Sequence, residues 1–582
     1  MKTKLIAILL SINSFLSAQQ LFTTSARRLP LQIAEQINEI NKRPATIFTQ
    51  LIDLDISQIT AQQDIIVTIE DTTYSLHPVN FDVRGINDFS ASYRDMTETI
   101  SMVISIHGTD IVGTIFLETE VYNIETIDIG TYVLVGIDQS ALPAEAIEEY
   151  ERTSKMYIQN ESSISSIEEQ SGVTPIITVL VLYTTKAAQL YPDIANKVHE
   201  AEAATNMSFT NSNIDCKIKV VYIGNANYEE TEPYDAASFV QNAERMRTAN
   251  DGYMDDVHDI RNKYAADVCV LVCANDYLGG YSCAIGATAE NAFCAVNVSS
   301  MTTTMTFAHE IGHLVGCRHD LYMDDSTEPY LYGHGYINIE KKWRTIMAYN
   351  NYCANNGCSC TRKPYWSNPD VSYQGAPTGQ ATCCNNARVW RQRAAVVAAF
   401  REHSDNISVY STDVKNAQEA YLFSNRTIST VGTNIITRGK SDVTFHAGES
   451  ITLNSNFRVN RGSKFHAYIS PTLMVTQGAL RNRQRNKHEN LEEALTHSSI
   501  QVIPNPIFEV SVVHLQLNED TENLRIDIVD LTGRVVKTIA NEATLPSGNY
   551  SFSIEGYSLP NGIMFVAVSS DGKLVSTIKI IH

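Results

Sequence analysis

One eleven-residue stretch constrains the fold of this chain more than any other: His309-Glu310-Ile311-Gly312-His313-Leu314-Val315-Gly316-Cys317-Arg318-His319. Residues four apart lie on one face of an α-helix, so His309 and His313 can direct imidazole nitrogens at the same ion. Gly316 can adopt the positive φ that ends a helix and turns the chain, which lets His319 return as a third ligand. The stretch therefore predicts a helix, a sharp turn and a metal site.

Three neutral imidazoles leave one tetrahedral position open for water, which is typical of a catalytic zinc site. Zinc can lower the pKa of that water from about 15.7 to about 7. Glu310 lies beside the ligands and is placed to take the water's proton and pass it to a leaving amine. Core histidines on an ordinary helix are the alternative for His309 and His313 alone, but Gly316 and His319 favour the metal site. We predict a zinc-dependent peptide-bond hydrolase.

With Met347 in Arg344-Thr345-Ile346-Met347-Ala348-Tyr349, the motif resembles the metzincin zinc peptidases and their Met-turn. Asp320, directly after His319, resembles the adamalysin (reprolysin) branch. The stretch Tyr365-Trp366-Ser367-Asn368-Pro369, followed by Gly375, is similar to bacterial peptidyl-Asp metalloendopeptidases. This resemblance covers about Thr174 to His403. It implies an α/β catalytic domain with a twisted mixed sheet and an active-site helix.

The resemblance also implies roles for residues outside the helix. Met347 would form a hydrophobic floor beneath the zinc site without being a ligand. Tyr349 is a hypothesis, because astacin-like and serralysin-like relatives use a tyrosine there near zinc whereas adamalysins lack it. A structural Ca²⁺ is a further expectation that goes with the resemblance.

Length and charge limit the remaining organisation. A chain of 582 residues is too long for one compact core, so several domains are expected. The 44 basic and 65 acidic residues give a formal charge of -21, which repels phosphate backbones and excludes nucleic acid as an expected partner. Proteins or peptides are the expected substrates.

The N-terminus is typical of an exported protein. Residues 1–18 combine Lys2 and Lys4 with an apolar run that ends in Ser17 and Ala18, which predicts a cleaved signal peptide. No other segment is apolar and long enough for a transmembrane anchor.

Residues 19–173 are interpreted as a β-rich propeptide that ends in a polar, cleavable stretch from Gln159 to Thr174. Its predicted strands include Ile65 to Ile69, Ser101 to Ile106 and Tyr132 to Ile137. The region contains no cysteine that could bind zinc. A carboxylate such as Asp82 or Asp88, or steric blockage, remain open as the cause of latency.

Residues 174–403 alternate between strand and helix patterns and form the predicted catalytic domain. The patterns are strands Ile176 to Tyr183, Cys216 to Ile223 and Asp267 to Cys273, with helical stretches through Ile194 and Met207, over Ala236 to Lys263 and over Asn386 to His403. Tyr281 to Thr288 and Ala292 to Val298 are two further predicted strands. One of them could lie at the sheet edge and pair with an extended peptide, or both could simply complete the sheet.

All 11 cysteines lie between Cys216 and Cys384, and the odd count leaves at least one without an intrachain partner. Cys317, inside the metal motif, is a candidate for that free thiol. The others near the C-terminal end of the domain are Cys353, Cys358, Cys360, Cys383 and Cys384. In an exported protein they favour disulfides at the wall of the substrate cleft over a second zinc site.

The C-terminal third is predicted to be all β. Residues 404–476 contain alternating apolar residues and form a small all-β module, and 477–500 form a charged linker. Residues 501–582 form a predicted β-sandwich. Within it, Ile503-Pro504-Asn505-Pro506, Asp530-Leu531-Thr532-Gly533-Arg534-Val535 and Leu559-Pro560-Asn561-Gly562 resemble the C-terminal sorting domain of the Bacteroidetes type IX secretion system. The resemblance implies secretion machinery as a partner and a secreted or cell-surface location; a generic binding module is the alternative.

Substrate preference is weakly encoded. Lys341, Lys342 and Arg344 could favour an acidic side chain after the scissile bond, or they could be solvated. A surface adhesin with a decayed peptidase domain is the competing function, and the intact motif with Glu310 argues against it.

Overall fold

The computed structural model describes residues 19–145 except 62 and 86, 174–410, and 419–469 except 433, 434 and 437–440. From 499 to 582 it describes all but 504–506, 508, 509, 518–520, 530–533, 557, 558, 561, 562, 571 and 572. The chain divides into two compact units, Met1–Gln477 and Gly478–His582. The predicted signal peptide, residues 146–173, the predicted linker as far as residue 498 and parts of the three C-terminal motifs lie outside the described residues.

A ten-stranded sheet forms most of the N-terminal region, 19–145. Its strands are β1 (Gln19–Gln20), β2 (Phe22–Thr24), β3 (Thr46–Leu54), β4 (Ile65–Ile69), β5 (Thr72–Gly85), β6 (Asp88–Arg94), β7 (Ser101–His107), β8 (Asp110–Phe116), β9 (Val121–Asp128) and β10 (Thr131–Ile137). Their order is β1-β4-β5-β6-β7-β8-β9-β10-β3-β2. The outermost strands β1 and β2 are separated in sequence by Leu21 alone, so the sheet curls until its two ends approach each other. Helix α1, Leu31–Asn41, contributes Ile40 to an apolar cluster that includes Val133 of β10.

The central region, 174–403, is built on a sheet with helices packed against it. Its longer strands are β11 (Ile176–Tyr183), β12 (Lys217–Asn225), β13 (Val268–Cys273), β14 (Gly280–Ser282) and β15 (Phe293–Asn297). Its helices are α2 (Thr185–Leu190), α3 (Ile194–Asn211), α4 (Ala236–Arg247), α5 (Val257–Lys263), α6 (Thr306–Val315), α7 (Asn351–Asn355) and α8 (Asn386–Val397). Two-residue strands follow α6: β16 (Ile337–Asn338), β17 (Trp343–Arg344), β18 (Thr361–Arg362), β19 (Ser372–Tyr373) and β20 (Ala376–Pro377).

Strand β11 lies inside the sheet, which explains its unbroken apolar sequence. It pairs in parallel with β12 on one side and with β13 on the other, and β13 pairs in parallel with β15. Strand β14 pairs antiparallel with β15 and forms one edge of the sheet. The central sheet therefore contains both parallel and antiparallel pairs, and β14 lies at its edge, which is one of the two alternatives considered for the strands before α6.

Several predicted elements are shorter than expected; α8, for example, ends at Val397 and not at His403. The helical stretch from Ala236 to Lys263 is divided into α4 and α5, because the chain between them turns through the positive φ angles of Asn250 and Gly252. The strand predicted to reach Thr288 ends at Ser282. Beyond it, Gly286 has a φ of +69° and donates its amide to His313 O at 2.8 Å, and Ala287 donates to Leu314 O at 2.7 Å, so this part of the segment bonds to α6.

The described residues between 404 and 469 form β-strands, but these strands do not form a separate core. Their strands are β21 (Asn406–Val409), β22 (Glu419–Ser424), β23 (Thr427–Thr430), β24 (Ile435–Ile436), β25 (Asp442–Ala447), β26 (Ser450–Thr452), β27 (Arg458–Val459) and β28 (Lys464–Ile469). β22 pairs antiparallel with β12, so the central sheet continues as β12-β22-β25-β28. Strands β22, β25 and β28 stack in parallel, as do β21, β23 and β26, which gives a short parallel β-helix.

The N-terminal region docks on the central region along α3. Thr114 donates a hydrogen bond to Oε1 of buried Glu200 at 2.7 Å. Val103 and Phe116 share one apolar core with β11 and α6. Asn123 donates to the hydroxyl of Thr303, just before α6, at 3.0 Å. This docking brings the end of the N-terminal region to the start of α6.

The C-terminal unit is an antiparallel β-sandwich. Its strands are β29 (Ser499–Ile503), β30 (Val510–Leu517), β31 (Thr521–Val529), β32 (Val535–Leu545), β33 (Gly548–Glu555), β34 (Ile563–Ser570) and β35 (Lys573–Ile581). They form sheets of order β29-β30-β33 and β32-β31-β34-β35. Val513, Ile526 and Val566 belong to one core shared by the two sheets. Over the whole described chain, no helix has the length and apolar character required to cross a membrane.

Candidate metal centre

The three histidines of the eleven-residue stretch converge on one point. α6 carries His309 and His313 on one face, and His319 follows the turn after the helix. Nε2 of His313 lies 3.1 Å from Nε2 of His309 and 3.0 Å from Nε2 of His319. All three imidazoles are buried. The structure thus brings together three nitrogen donors in the arrangement that the spacing predicts.

The hydrogen bonds of the imidazoles suit metal binding. Nδ1 of His309 lies 2.9 Å from Ile346 O, and Nδ1 of His313 lies 2.9 Å from Cys317 O. A carbonyl oxygen only accepts, so each Nδ1 carries the proton and donates it, and each Nε2 presents a lone pair to the centre. Burial lowers the pKa of His309 to about 4 and the pKa values of His313 and His319 well below the ordinary value. Neutral imidazoles with inward lone pairs fit zinc.

Gly316 produces the turn that returns His319. Its φ is +122°, and its amide donates to Gly312 O and His313 O at the end of α6. A Cβ at Gly316 would lie 3.2 Å from the ring of Tyr330. Backbone conformation and close packing therefore both favour glycine here.

Met347 lies directly against α6. A Cβ built on Gly312 would lie 3.0 Å from Sδ of Met347 and 2.8 Å from the ring of Trp366. Met347 is fully buried among the residues of the core beneath the histidines. The missing side chain at Gly312 is what allows the methionine to approach the helix.

Tyr349 packs against the ligands. Its ring centroid lies 4.5 Å from that of His319 and 6.1 Å from that of His309. Its hydroxyl is buried and has no hydrogen-bond partner among the described residues. Burial raises the pKa of Tyr349 well above its ordinary value, so the hydroxyl keeps its proton and remains a donor.

Glu310 faces the edge strand β14. The hydroxyl of Ser282 donates to Oε2 of Glu310 at 2.7 Å. A Cβ on Gly280 would lie 2.4 Å from Oε1, so only glycine leaves space for this carboxylate. Sequence reasoning identified Glu310 but missed Ser282 and Gly280, because their contact with the helix depends on how the sheet edge folds back.

The last described residues of the N-terminal region, Ala144 and Glu145, lie next to this edge strand and the start of α6. The amide of Gly279 donates to Ala144 O at 2.8 Å. Next along the chain, Glu145 is buried, forms an ion pair with Arg362, and accepts a hydrogen bond from Thr306 at 2.9 Å. Sequence reasoning missed Glu145, Arg362 and Thr306. No local signal marks an ion pair between residues 217 positions apart.

The carboxylates considered for latency lie elsewhere. Asp82 pairs with Lys219 at 3.2 Å, and Asp88 pairs with Arg84 at 2.9 Å. Both line a cavity of about 650 Å³ whose lining includes none of the three histidines.

The basic residues considered for substrate preference divide into two kinds. Lys341 and Lys342 are exposed, as the solvated alternative expects. Arg344 is buried and donates to Cys360 O at 2.9 Å and Ala348 O at 2.7 Å.

One disulfide joins Cys353 to Cys360 in the described chain. Cys317 is a buried free thiol, and Cys358, Cys383 and Cys384 are also free. Among the described residues, the groups that could hold a metal ion are the three histidines and a cluster of Cys353, Cys358 and Cys360. Neither offers the oxygen ligands that Ca²⁺ prefers, so the expected calcium ion has no support.

An α/β domain with a buried three-histidine centre at a helix end defines a metallopeptidase, and the comparisons agree: residues 173–359 match metallo-peptidase family M12. The chain belongs to this family and is a metalloendopeptidase. It is 38% identical over 302 residues to the peptidyl-Asp metalloendopeptidase of Xanthomonas campestris pv. campestris, which covers 52% of this chain and 70% of the relative.

Two other relatives carry the same description. The protein of Stenotrophomonas maltophilia strain K279a is 38% identical over 305 residues, covering 52% of this chain and 70% of the relative. That of Pseudomonas fragi is 36% identical over 198 residues, covering 34% of this chain and 99% of the relative. Residues 501–582 match the secretion system C-terminal sorting domain, which identifies an exported protein and confirms the interpretation of the C-terminal segment.

Proposed function

We propose that this chain is the precursor of a zinc metalloendopeptidase in which His309, His313 and His319 hold the ion and Glu310 moves the proton. The observation that carries the proposal is the convergence of three buried, neutral imidazoles, in which Nε2 of His313 lies 3.1 Å from Nε2 of His309 and 3.0 Å from Nε2 of His319. When bound, zinc supplies a Lewis acid that activates water and polarises the scissile carbonyl.

Glu310 is the general base and acid of this mechanism. Its carboxylate is buried beside the histidines and is oriented by the Ser282 hydroxyl at 2.7 Å. From there it accepts the proton of the attacking water and delivers it to the leaving amine. The Tyr349 hydroxyl, buried beside His319, donates a hydrogen bond to the oxyanion that develops at the scissile carbonyl.

The substrate main chain pairs with the sheet edge at β14. Gly279, which precedes this strand, already donates its amide to Ala144 O. An extended peptide placed there adds a strand to the sheet, and its reacting bond lies next to Gly280 and Glu310.

The substrates contain acidic residues. The relatives are described as peptidyl-Asp metalloendopeptidases. The buried guanidinium groups of Arg344 and Arg362 give this region the positive charge that recognition of a carboxylate requires.

The domain organisation follows the sequence prediction with one change. We place a signal peptide at 1–18, a propeptide at 19–173, a metzincin catalytic domain at 174–403 and the sorting domain at 501–582, after a linker at 477–500. The change concerns the all-β module predicted at 404–476, because its strand β22 pairs with β12 and so extends the catalytic sheet. The sorting domain delivers the protein to its secretion machinery.

Casein cleavage by the processed enzyme tests the proposal. We expect activity that a zinc chelator abolishes and added zinc restores. Glu310→Ala should lower kcat by about 10²- to 10⁴-fold while zinc content stays at one ion per chain. Glu340→Ala, which removes an exposed carboxylate, is the matched control. A processed wild type without chelator-sensitive cleavage, or a Glu310→Ala variant with full turnover, would contradict the mechanism.

A further inference from the structure

The last described residues of the N-terminal region lie against the edge of the central sheet. Ala144 O accepts the Gly279 amide at 2.8 Å, and a Cβ on Gly279 would lie 2.6 Å from Pro143 O. Contacts this close between main chains leave no space for a second peptide. The segment therefore occupies the position proposed above for substrate.

Glu145 ends this segment in a buried polar pocket. Only 3% of the residue is exposed. Its carboxylate contacts Nη1 of Arg362 through Oε1, lies 3.1 Å from Nη2 through Oε2, and accepts the Thr306 hydroxyl at 2.9 Å. Two parallel hydrogen bonds from one guanidinium are the arrangement by which arginine recognises a carboxylate. Thr306 is the first residue of α6, three positions before His309.

Arg362 is held in place independently of Glu145. Its guanidinium donates to Thr304 O at 2.8 Å and to Ala348 O at 3.1 Å, and both acceptors belong to the central region. Ala348 also accepts from Arg344, which places a second buried cation nearby. In the described chain, the carboxylate within ion-pair distance of Arg362 is that of Glu145.

Removal of the N-terminal region takes this carboxylate away and leaves the arginine behind. A guanidinium without a counter-charge in a buried site is costly, and an incoming carboxylate relieves that cost. The pocket lies beside the sheet edge whose next residue, Gly280, contacts Glu310. An acidic substrate side chain bound there is therefore next to the reacting bond.

We propose, on the basis of the function proposed above, that Arg362 and Thr306 form the subsite for the acidic side chain of the substrate. Arg362 is its specificity-determining residue. In the precursor, Glu145 occupies this subsite as a substrate mimic, so the propeptide blocks the cleft with a carboxylate bound to arginine and not to the metal.

Two peptides that differ only by Asp or Asn after the scissile bond test the subsite in the processed enzyme. Wild type is expected to favour the Asp peptide by about 100-fold or more in kcat/KM, because the amide leaves Arg362 unpaired. Arg362→Gln should reduce this ratio to below about 5-fold, because the rate for the Asp peptide falls more than the rate for the Asn peptide. Lys341→Gln, which changes an exposed cation, should keep the wild-type ratio.

A chelator-sensitive wild type with equal rates for both peptides, or an Arg362→Gln variant that keeps the wild-type ratio, would overturn the inference and leave the proposed function standing. A wild type that cleaves neither peptide nor casein would instead count against the proposed function.

The mimicry has a test that does not depend on the folding of an Arg362 variant. An amidated peptide of residues 139–145, Gln-Ser-Ala-Leu-Pro-Ala-Glu, is expected to compete with the Asp peptide for wild-type enzyme. Its Glu145→Gln version should inhibit at least about 10-fold more weakly, and its Ser140→Ala version should inhibit like the parent. Equal inhibition by the parent peptide and its Glu145→Gln version, or no inhibition by either, would show that Glu145 is only a structural ion-pair partner.

Discussion

The amide of Tyr349 donates a hydrogen bond to Oδ2 of Asp320 at 2.8 Å. Asp320 follows His319 directly, and its other oxygen accepts the amide of Tyr322 at 3.1 Å. The Asp320 carboxylate therefore links two turns through hydrogen bonds: the turn that supplies His319 and the turn that contains Met347. This contact gives a physical reason for an aspartate after the last histidine of the motif.

Asp320→Asn should weaken zinc binding. The amide replaces one acceptor oxygen by a donor, so one of the two backbone hydrogen bonds is lost and His319 is held less firmly. Loss of such a supporting contact typically costs about 10- to 100-fold in metal affinity. Zinc transfer to a competing chelator measures the change, with Asp325→Asn at an exposed position as control. An unchanged affinity would assign Asp320 no part in holding the site.

Tyr349→Phe should lower kcat without removing the metal. The buried hydroxyl has no partner among the described residues, so its loss breaks no hydrogen bond of the folded chain. Removal of one oxyanion donor costs about 10²- to 10³-fold in kcat. KM and zinc content should stay close to wild type. Full turnover by Tyr349→Phe would remove the proposed role of the hydroxyl.

Gly312→Ala should destabilise the domain. The added Cβ would meet the Trp366 ring at 2.8 Å and Sδ of Met347 at 3.0 Å, and both neighbours are fully buried. Overpacking of this kind costs about 1 to 3 kcal/mol, measurable as a lower midpoint of thermal unfolding. Met347→Leu conserves volume and should cost less than about 1.5 kcal/mol. If Gly312→Ala unfolds at the wild-type temperature, the packing of Met347 and Trp366 against α6 leaves room for a Cβ, and the prediction is wrong.

Stability should depend on pH through His199, which links α3 to β22. Its imidazole lies 3.1 Å from Glu202 and 2.5 Å from Glu419. Burial and the charge of Arg84 disfavour the imidazolium, but the two carboxylates prevail and raise the pKa of His199 to about 9. Because folding raises the pKa, the charged imidazole stabilises the fold. This contribution is complete below pH 6.5 or so, about the pKa of histidine in the unfolded chain, and it is lost as pH rises through about 9.

Thermal unfolding of wild type and His199→Gln at pH 6, 7.5 and 9.5 measures this contribution. The difference in free energy of unfolding should be on the order of 1 to 3 kcal/mol at pH 6 and should shrink at each higher pH. Burial opposes ionisation of Glu419, but His199 holds the pKa of that carboxyl at about 2. The contribution of Glu419 to the free energy of unfolding is therefore constant at acid pH until the pH falls below about 4.5, the pKa of the unfolded chain. A difference that is constant with pH would mean that His199 is neutral in the fold.

The disulfide between Cys353 and Cys360 should stabilise the segment next to Arg344, whose guanidinium donates to Cys360 O. Replacing both cysteines by serine should cost about 2 kcal/mol, because the short loop regains freedom in the unfolded chain. Calorimetry with and without reductant measures the effect. Cys358→Ser removes a free thiol and is the control. Equal stability of the double variant and wild type would show that the bond is dispensable.

The sequence predicts the elements that depend on local pattern. β11 has the predicted bounds, Ile176–Tyr183, because a buried parallel strand is a continuous apolar run. α6 and its turn follow from the spacing of the histidines and Gly316, since ligands of one ion must share a helix face. β4 agrees with prediction for a similar reason, as its burial alternates with period two.

Contacts between distant parts of the chain were not predictable in the same way. The Glu145 and Arg362 pair joins two segments that look ordinary by themselves, and its formation depends on how the N-terminal sheet docks along α3. The pairing of β22 with β12 likewise joins strands about two hundred residues apart, which no periodicity reveals. For this reason the predicted boundary after residue 403 missed the continuation of the sheet.

The continuation of the sheet through β22 determines where the peptidase can be shortened. Ala420, Leu422 and Phe445 belong to the same core as Val221 and Tyr222 of β12. A protein truncated after residue 403 would expose this apolar surface together with a row of unpaired backbone amides and carbonyls, the surface on which strands of separate molecules associate. Such a fragment should precipitate or form oligomers, whereas one that ends after β28 keeps the edge covered.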